Sequence, residues 1–545
     1  MVHAFPNNIK LSCNSYSIIS LPIPHGINQD LLANFTEKKK VWESLVNSGW
    51  ELHTYLSGAL SERNFDPESI FNKEILDTFL GERDCLKAGS SSFDKFIKLL
   101  NNHEPILLSN QSIDGLDKVI FIGRQMSIAI KIHWIDLLLF PEGLALLSFK
   151  ISIDNKEQHL EFNDFSQLNR EIRFCNLDLS ECQISVGSDK VVQTFWKEFV
   201  FKKLLGFENS ISKSNVINYE VGKLDYVPKG IKSYTLQYAK IFTVAEIIGI
   251  SEKNEFSWNA PITKLDRNFH DGFQKGVNVG EINLSDFLYH DALRSSYPSY
   301  LDILAFELAS VSNLGTSIGG DKRWSYSLDY LKKISSENKF QVFNNWVGFA
   351  LRDVVSVVTF QEDRNLLNQS ESRFFPLYLY TLIQWSYFTD LASLLIDKRL
   401  NDVLRGRKLK ERFQKLRSKY WFREPTSNFL GTELYDSFQF GLKVESLYKT
   451  VFEEISDVSE FLQQKWDRFK ALAVAVLIIL LAPIQWIWDN VINRKLEELS
   501  SWEGIVIAIS LPLVGIIAIL SAKRIRFIQT AISNLYKRFV NFWIN

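Results

Sequence analysis

Few residues of this 545-residue chain stand in the patterns that chemistry requires. The eight histidines form neither H-E-x-x-H nor H-x-H, so helical zinc chemistry has no ligand set. The four cysteines, Cys13, Cys85, Cys175 and Cys182, include no C-x-x-C pair. Dithiol and zinc-ribbon chemistry therefore have no support, and sparse cysteine suits a reducing compartment. The glycine-rich stretch 315–320, followed by Asp321, Lys322 and Arg323, is close to a phosphate-binding loop. That loop needs lysine directly after its last glycine and then Ser or Thr, and here Asp321 intervenes. Nucleotide hydrolysis is not expected, and the chain reads as a non-enzyme. Lys322 and Arg323 are still candidates for contact with an anionic ligand, as are Arg170, Arg173 and Arg352; the alternative for each is a structural salt bridge. Glu453, Glu454, Asp457 and Glu460 are candidate ligands for a regulatory metal, or else a solvated helix face. Gln485, Asp489, Asn490 and Asn493 flank an apolar run, where they form polar rings at the outer mouth of a pore or lie at an interface without a pore role.

The elements that position these residues begin with the last hundred positions. Residues 471–488 and 504–522 are uncharged apolar runs of 18 and 19 residues. At helical rise each measures about 27–29 Å, the thickness of a bilayer's hydrocarbon. The polar stretch 489–503 separates them, which predicts a transmembrane hairpin with an outer loop. Lys465, Arg468 and Lys470 precede the first run, and Lys523, Arg524 and Arg526 follow the second. Basic flanks at both ends place both termini inside, so the expected location is the inner membrane with a cytoplasmic body. Residues 431–470 read as a stalk helix leading into the first span. From Val444 its apolar residues alternate at spacings of four and three, a heptad-like seam. The seam serves self-association around an axis, or packing on its own domain. Residues 523–545 predict a basic amphipathic helix, on the inner membrane surface or as a packing collar around the stalk.

Upstream, residues 1–235 predict an α/β domain and 236–430 a mixed, mostly helical one. Strands are predicted over 17–22, 105–108, 119–122, 127–140 and 144–153, and helices over 30–49, 67–79 and 92–100. The alternation Ile128–Ile130–Ile132 gives way to a solid apolar run at 137–140, which fits one strand moving into a buried setting, or two strands. A strand is also expected over 234–250, and helices over 300–311 and 326–337. Residues 374–396 are apolar but carry Gln384, Ser386 and Asp390, which argues for a core helix rather than a membrane span. Residues 397–419 hold ten basic residues, read as a solvated face or one turned to acidic neighbours or lipid headgroups, with nucleic-acid contact as the lesser alternative. With a net charge of −1, no global attraction to nucleic acid is expected.

The stretches LLLFPEGLALLSFKI (137–151), FNDFSQLNREIRF (162–174), NNWVGFALRDVV (344–355) and YWFREPTSNFLGTELYDS (420–437), with the order of the regions above, resemble CorA-type magnesium transporters. The resemblance implies an α/β cytoplasmic domain, a helical domain with a long stalk, a two-helix C-terminal transmembrane hairpin and a homo-oligomer. It implies five subunits, the altered outer mouth leaving four open, and Mg²⁺ as the cofactor to consider. The Gly-Met-Asn triplet of that family is absent, since its place reads APIQWIWDNVIN (482–493). The chain is also similar to CorA-like membrane effectors of antiviral defence, type III CRISPR systems included, which a nucleotide-derived second messenger opens. Three functions follow as expectations. The first is a membrane channel or effector gated by a small anionic cytosolic ligand. The second is a divalent-cation transporter with a changed filter, and the third a membrane-tethered binding protein. Expected partners are membrane lipid, further copies of the chain and the anionic ligand, with no nucleic acid.

Overall fold

A computed structural model describes residues 9–23, 92–101, 105–110, 119–123, 126–140, 144–154, 159–174, 183–186, 191–194, 239–252, 255–257, 300–311, 328–343, 345–360, 364–396, 403–422 and 424–487, with scattered residues at 39–53 and 71–75. The chain divides into two compact units, Met1–Ser456 and Asp457–Asn545.

The first unit is built on one mixed sheet of 15 described strands. In chain order its strands start with β1 (Ile9–Ser12), β2 (Tyr16–Ile23) and β3 (Trp50–His53), followed by β4 (Ile106–Asn110), β5 (Val119–Ile122), β6 (Ser127–Leu139) and β7 (Ala145–Ile153). The short strands β8 (His159–Glu161), β9 (Gln183–Val186) and β10 (Val191–Thr194) come next. The set is completed by β11 (Lys240–Glu252), β12 (Glu255–Ser257), β13 (Lys339–Phe340), β14 (Trp346–Ala350) and β15 (Val354–Phe360). The main path runs β10-β9-β5-β6-β7-β2-β11-β15-β14-β13, so strands from both sides of residue 235 share one sheet. β11 and β15 pair in parallel, and the other described pairs are antiparallel. A parallel pair cannot be closed by a tight turn. The connection here includes α3 (Tyr300–Ser310), introduced with its neighbours below.

Strand parity sorts the core into two layers. Ile19, Leu21, Ile241 and Ala245 point into one cluster, and Ile18, Phe242 and Val244 into the other. β6 is a single strand with a register shift between Ile132 and Trp134. The extra residue moves the first layer from even positions (Ile130, Ile132) to odd ones (Ile135, Leu137, Leu139). Beyond the bulge both faces are buried, Leu137 and Leu139 in the first layer and Leu138 and Phe140 in the second, so the run there is solidly apolar.

Helices cover both faces. In chain order they are α1 (Ser92–Asn101), α2 (Phe162–Phe174), α3 and α4 (Leu328–Asn338). Then come α5 (Arg364–Gln369), a π-helical turn Ser370–Phe374 and α6 (Phe375–Ile396). The last three are α7 (Val403–Tyr420), α8 (Phe429–Leu442) and α9 (Val444–Ile487). Phe162, Phe165, Leu168 and Ile172 of α2 and Leu304 and Leu308 of α3 fill the first layer. α6 lies in the second layer with Phe242, Tyr420, Tyr435 and Phe438. As expected, α6 is a core helix. Its Thr381 and Ser386 hydroxyls donate to the carbonyls four residues back, and Gln384 donates to Tyr420 O at 2.8 Å and Tyr435 Oη at 3.0 Å. Three buried polar groups are thereby satisfied.

The fold expected from the sequence is corrected in two respects. Instead of an α/β domain followed by a separate helical one, a single large mixed sheet carries helices on both faces. The C-terminal transmembrane hairpin is not seen: among the described residues no helix is long and apolar enough to cross a membrane. α9 is a continuous helix, but charged residues recur along it as far as Lys470. Beyond Lys470 only Ala471 and Val474 have described side chains. The outer loop at 489–503, the second apolar run at 504–522 and the basic tail at 523–545 lie outside the described residues. The first half of the heptad-like seam packs on its own domain, with Val444, Val451 and Ile455 buried in the second layer. In the second unit, the described part of α9 exposes Phe461, Trp466 and Val474. Lys465 lies 5.3 Å from the Phe461 ring and Lys470 5.8 Å from that of Trp466.

Two backbone sites give a test. Lys443 joins α8 to α9 at φ 56, the left-handed conformation that closes a helix, and its side chain is exposed. Lys443→Gly is expected to raise stability to urea by about 1 kcal/mol. A Cβ on Gly441 would meet the carbonyl oxygen of Ala350 at 2.5 Å. Gly441→Ala therefore forces α8 off β14 and is expected to cost about 2 kcal/mol or more in the same unfolding experiment.

Candidate functional site

The ends of β11 and β15 meet a charge cluster that the two helical layers close. Lys240 opens β11 and is 2% exposed. Asp353 sits in the tight connection between β14 and β15, and Arg173 lies in the last turn of α2. Lys240 Nζ donates to Asp353 Oδ1 at 2.5 Å and to the Arg352 carbonyl at 3.1 Å. It also lies 3.8 Å from the ring centroid of Trp385, in α6. Arg173 Nη2 donates to Asp353 Oδ2 at 2.7 Å. The Asp353 carbonyl accepts from Ile241 N at 2.9 Å, so the backbone fixes the carboxylate in place. One carboxylate thus joins α2, which packs on the first layer, to Lys240 and Trp385 on the second.

The electrostatics follow from burial. Burial pushes the Lys240 ammonium down to about 8, against the pull of Asp353. Burial also raises the Asp353 carboxyl, but Lys240 and Arg173 outweigh it and hold the group below its ordinary value. Tyr378, also in α6, is fully buried, and its hydroxyl has no hydrogen-bond partner among the described residues. Burial first, and then the Asp353 carboxylate, keep it protonated well beyond the ordinary tyrosine range. The ammonium of Lys240 is engaged by a carboxylate, a carbonyl and an aromatic face. It is a buried charge held in a lock rather than an open nucleophile.

A second polar cluster hangs on the π-helical turn. Glu371 Oε2 accepts from Lys150 Nζ at 2.5 Å, and Glu371 Oε1 from Trp134 Nε1 at 2.9 Å. Lys150 stands 4.1 Å from the Tyr16 ring centroid, and the Tyr16 hydroxyl donates to the Leu367 carbonyl at 3.0 Å. The widened turn brings Glu371 to side chains of β2, β6 and β7, and π turns recur at functional positions.

The residues singled out in the sequence fall as follows. Arg173 and Arg352 both belong to the first cluster, Arg173 by its guanidinium and Arg352 by its carbonyl, with the Arg352 side chain exposed. Arg170 is half-buried one turn before Arg173. Lys322 and Arg323 lie outside the described residues, as do Asp489, Asn490 and Asn493. Gln485 falls within α9, its side chain outside the description. Glu453, Glu454, Asp457 and Glu460 are exposed along α9. Among the described residues no group of three or more His, Cys, Asp or Glu side chains is placed to hold a metal ion. Sequence reasoning missed Lys240, Trp385, Tyr378, Lys150 and Glu371. A signal existed for Lys240, a lone cation at the head of the apolar run 241–250, but nothing local named its partner 113 residues away.

No protein-family model matches the chain, and neither the comparison with curated proteins nor that with solved structures returns a match.

Asp353→Asn leaves two cations facing a neutral amide, and is expected to lower stability to urea by about 3 kcal/mol or more. The pH dependence has a definite sign. Lys240 titrates at about 8 in the fold and at 10.5 when free, so between these values the unfolded chain binds more protons. Its contribution is adverse below pH 8 and becomes less so as pH rises toward 10.5. Unfolding titrations of the wild type and Lys240→Met are expected to differ by this slope. The Asp353 contribution is present above pH 3.8 and is lost as pH falls through the lower folded value.

Proposed function

We propose that the protein is a ligand-responsive effector that acts at the cytoplasmic membrane as a homo-oligomer. The folded body senses a small anionic molecule, and α9 carries its state to the C-terminal part of the chain. The observation behind this reading is the course of α9. It opens with Val444, Val451 and Ile455 buried among the aromatic side chains of the second layer. The same helix continues to Ile487 and exposes Phe461, Trp466 and Val474. A change in the second layer therefore acts on the root of a helix that continues beyond it and exposes large apolar side chains. The uncharged sequence at 471–488 and 504–522 supports action at a membrane.

The anionic class of ligand is supported by the cations around Asp353. Arg352 is exposed, Arg170 is half-buried, and Arg173 Nη2 donates to Asp353 Oδ2 at 2.7 Å. A phosphate-bearing ligand, a nucleotide-derived messenger among them, competes with Asp353 for the Arg173 guanidinium. Such competition biases one arrangement of the layers over another.

The experiment reconstitutes the full chain in dye-loaded vesicles and adds inorganic triphosphate, ATP or cyclic dinucleotides in turn, with mass measured by light scattering in mild detergent. The expected outcome is an oligomer whose dye release depends on one of these anions. A monomer, or release that none of the anions alters, contradicts the proposal.

A further inference from the structure

α7 carries eight basic residues and one acidic residue in 18 positions, inside a chain whose net charge is −1. Its orientation is fixed by its apolar stripe. Leu409, Phe413, Leu416 and Tyr420 are buried in the second layer, at spacings of four, three and four. Lys410, Lys415 and Arg417 are consequently exposed, Lys415 on one flank of the helix and Lys410 and Arg417 on the other. Asp390 takes up the charge of Arg412 at 2.8 Å. Lys415 and Arg417 form no ion pair among the described residues. Arg417 instead lies 5.9 Å from the ring centroid of Phe452, itself 42% exposed.

We propose that this outer face of α7 is an electrostatic docking surface for a bilayer containing anionic lipid. A strip with cations on both flanks of a straight helix fits a flat, diffuse layer of negative headgroups. Clusters of four to eight Lys or Arg on a helix are the pattern that such surfaces attract. The exposed Phe452 ring beside Arg417 adds an apolar group at headgroup depth. The apolar stripe of α7 is already occupied by the protein's own core, so the contact is made by charge and screened by salt. The inference rests on the membrane reading above and adds the lipid class and the face that meets it.

The test is sedimentation of the full chain with phosphatidylglycerol-containing vesicles and with pure phosphatidylcholine vesicles, at low and high salt. The wild type is expected to bind the anionic vesicles at least about tenfold more tightly, with the difference shrinking in high salt. The double variants Lys415→Glu/Arg417→Glu and Lys415→Gln/Arg417→Gln are expected to lose most of that preference, the glutamates more than the glutamines. They keep the wild-type affinity for phosphatidylcholine and the wild-type circular dichroism. Equal binding of the wild type to both vesicles, or a preference that neither variant reduces, overturns this inference alone. Tighter binding to duplex DNA or RNA than to anionic vesicles at the same salt also overturns it. Absence of binding to either vesicle overturns the membrane reading along with it.

Discussion

The constraint on which the structure turns is the burial of a lysine. Lys240 stands at the head of a central strand and is 2% exposed, a setting that disfavours its charge. The fold meets that cost with three groups from distant parts of the chain: the Asp353 carboxylate, the Arg352 carbonyl and the face of Trp385. Asp353 in turn needs Arg173, because a carboxylate there is also partly desolvated. Satisfying one buried charge thus fixes the β14–β15 connection, the end of α2 and the position of α6. Replacing the set by apolar residues of similar volume is often neutral or favourable for stability. What the ionic version adds is sensitivity to charge, which an apolar plug lacks.

From that point the second layer follows. α6 is held over the sheet by Trp385 and Tyr378, and Tyr420, Tyr435 and Phe438 pack in the same layer, Phe438 touching both Tyr378 and Phe242. The Tyr387 and Tyr420 rings stack at 4.8 Å, and Trp421 stacks on Tyr448 of α9 at 4.2 Å. Ring contacts lead from α6 to the root of α9: Phe388 of α6 lies 5.4 Å from the Trp421 ring and 5.3 Å from that of Tyr448, which stands beside Phe413 and Phe452. Close packing of this kind shifts as a unit rather than yielding atom by atom.

Local elements were legible where one rule decided them. The turn at 141–143 and the flanking apolar runs gave the β6–β7 hairpin, and Gln384 and Ser386 marked α6 as a core helix. Long-range pairing was not legible. β11 pairs with β2 more than two hundred residues earlier, and with β15 about a hundred later, so a boundary at 235 cut through one sheet. The seam from Val444 looked like an oligomer contact because periodicity names a buried face without naming what buries it; for Val451 and Ile455 the answer is the chain's own core. Arg173 and Arg352 were reachable as basic groups with two readings, contact with an anionic ligand or a structural salt bridge. Lys240 had only the signal of a lone cation before an apolar run and Glu371 had none, because their partners lie 113 and 221 residues away.

The central claim is that the ionic cluster and the root of α9 form one mechanical system. Backbone hydrogen exchange, compared between the wild type and Asp353→Asn under native conditions, addresses it directly. The account expects amides of residues 444–455 to lose protection in the variant together with those of α6, while the β9–β10 hairpin at the far edge of the sheet keeps its wild-type exchange. Unchanged protection at 444–455, with loss confined to residues around 353, would contradict it.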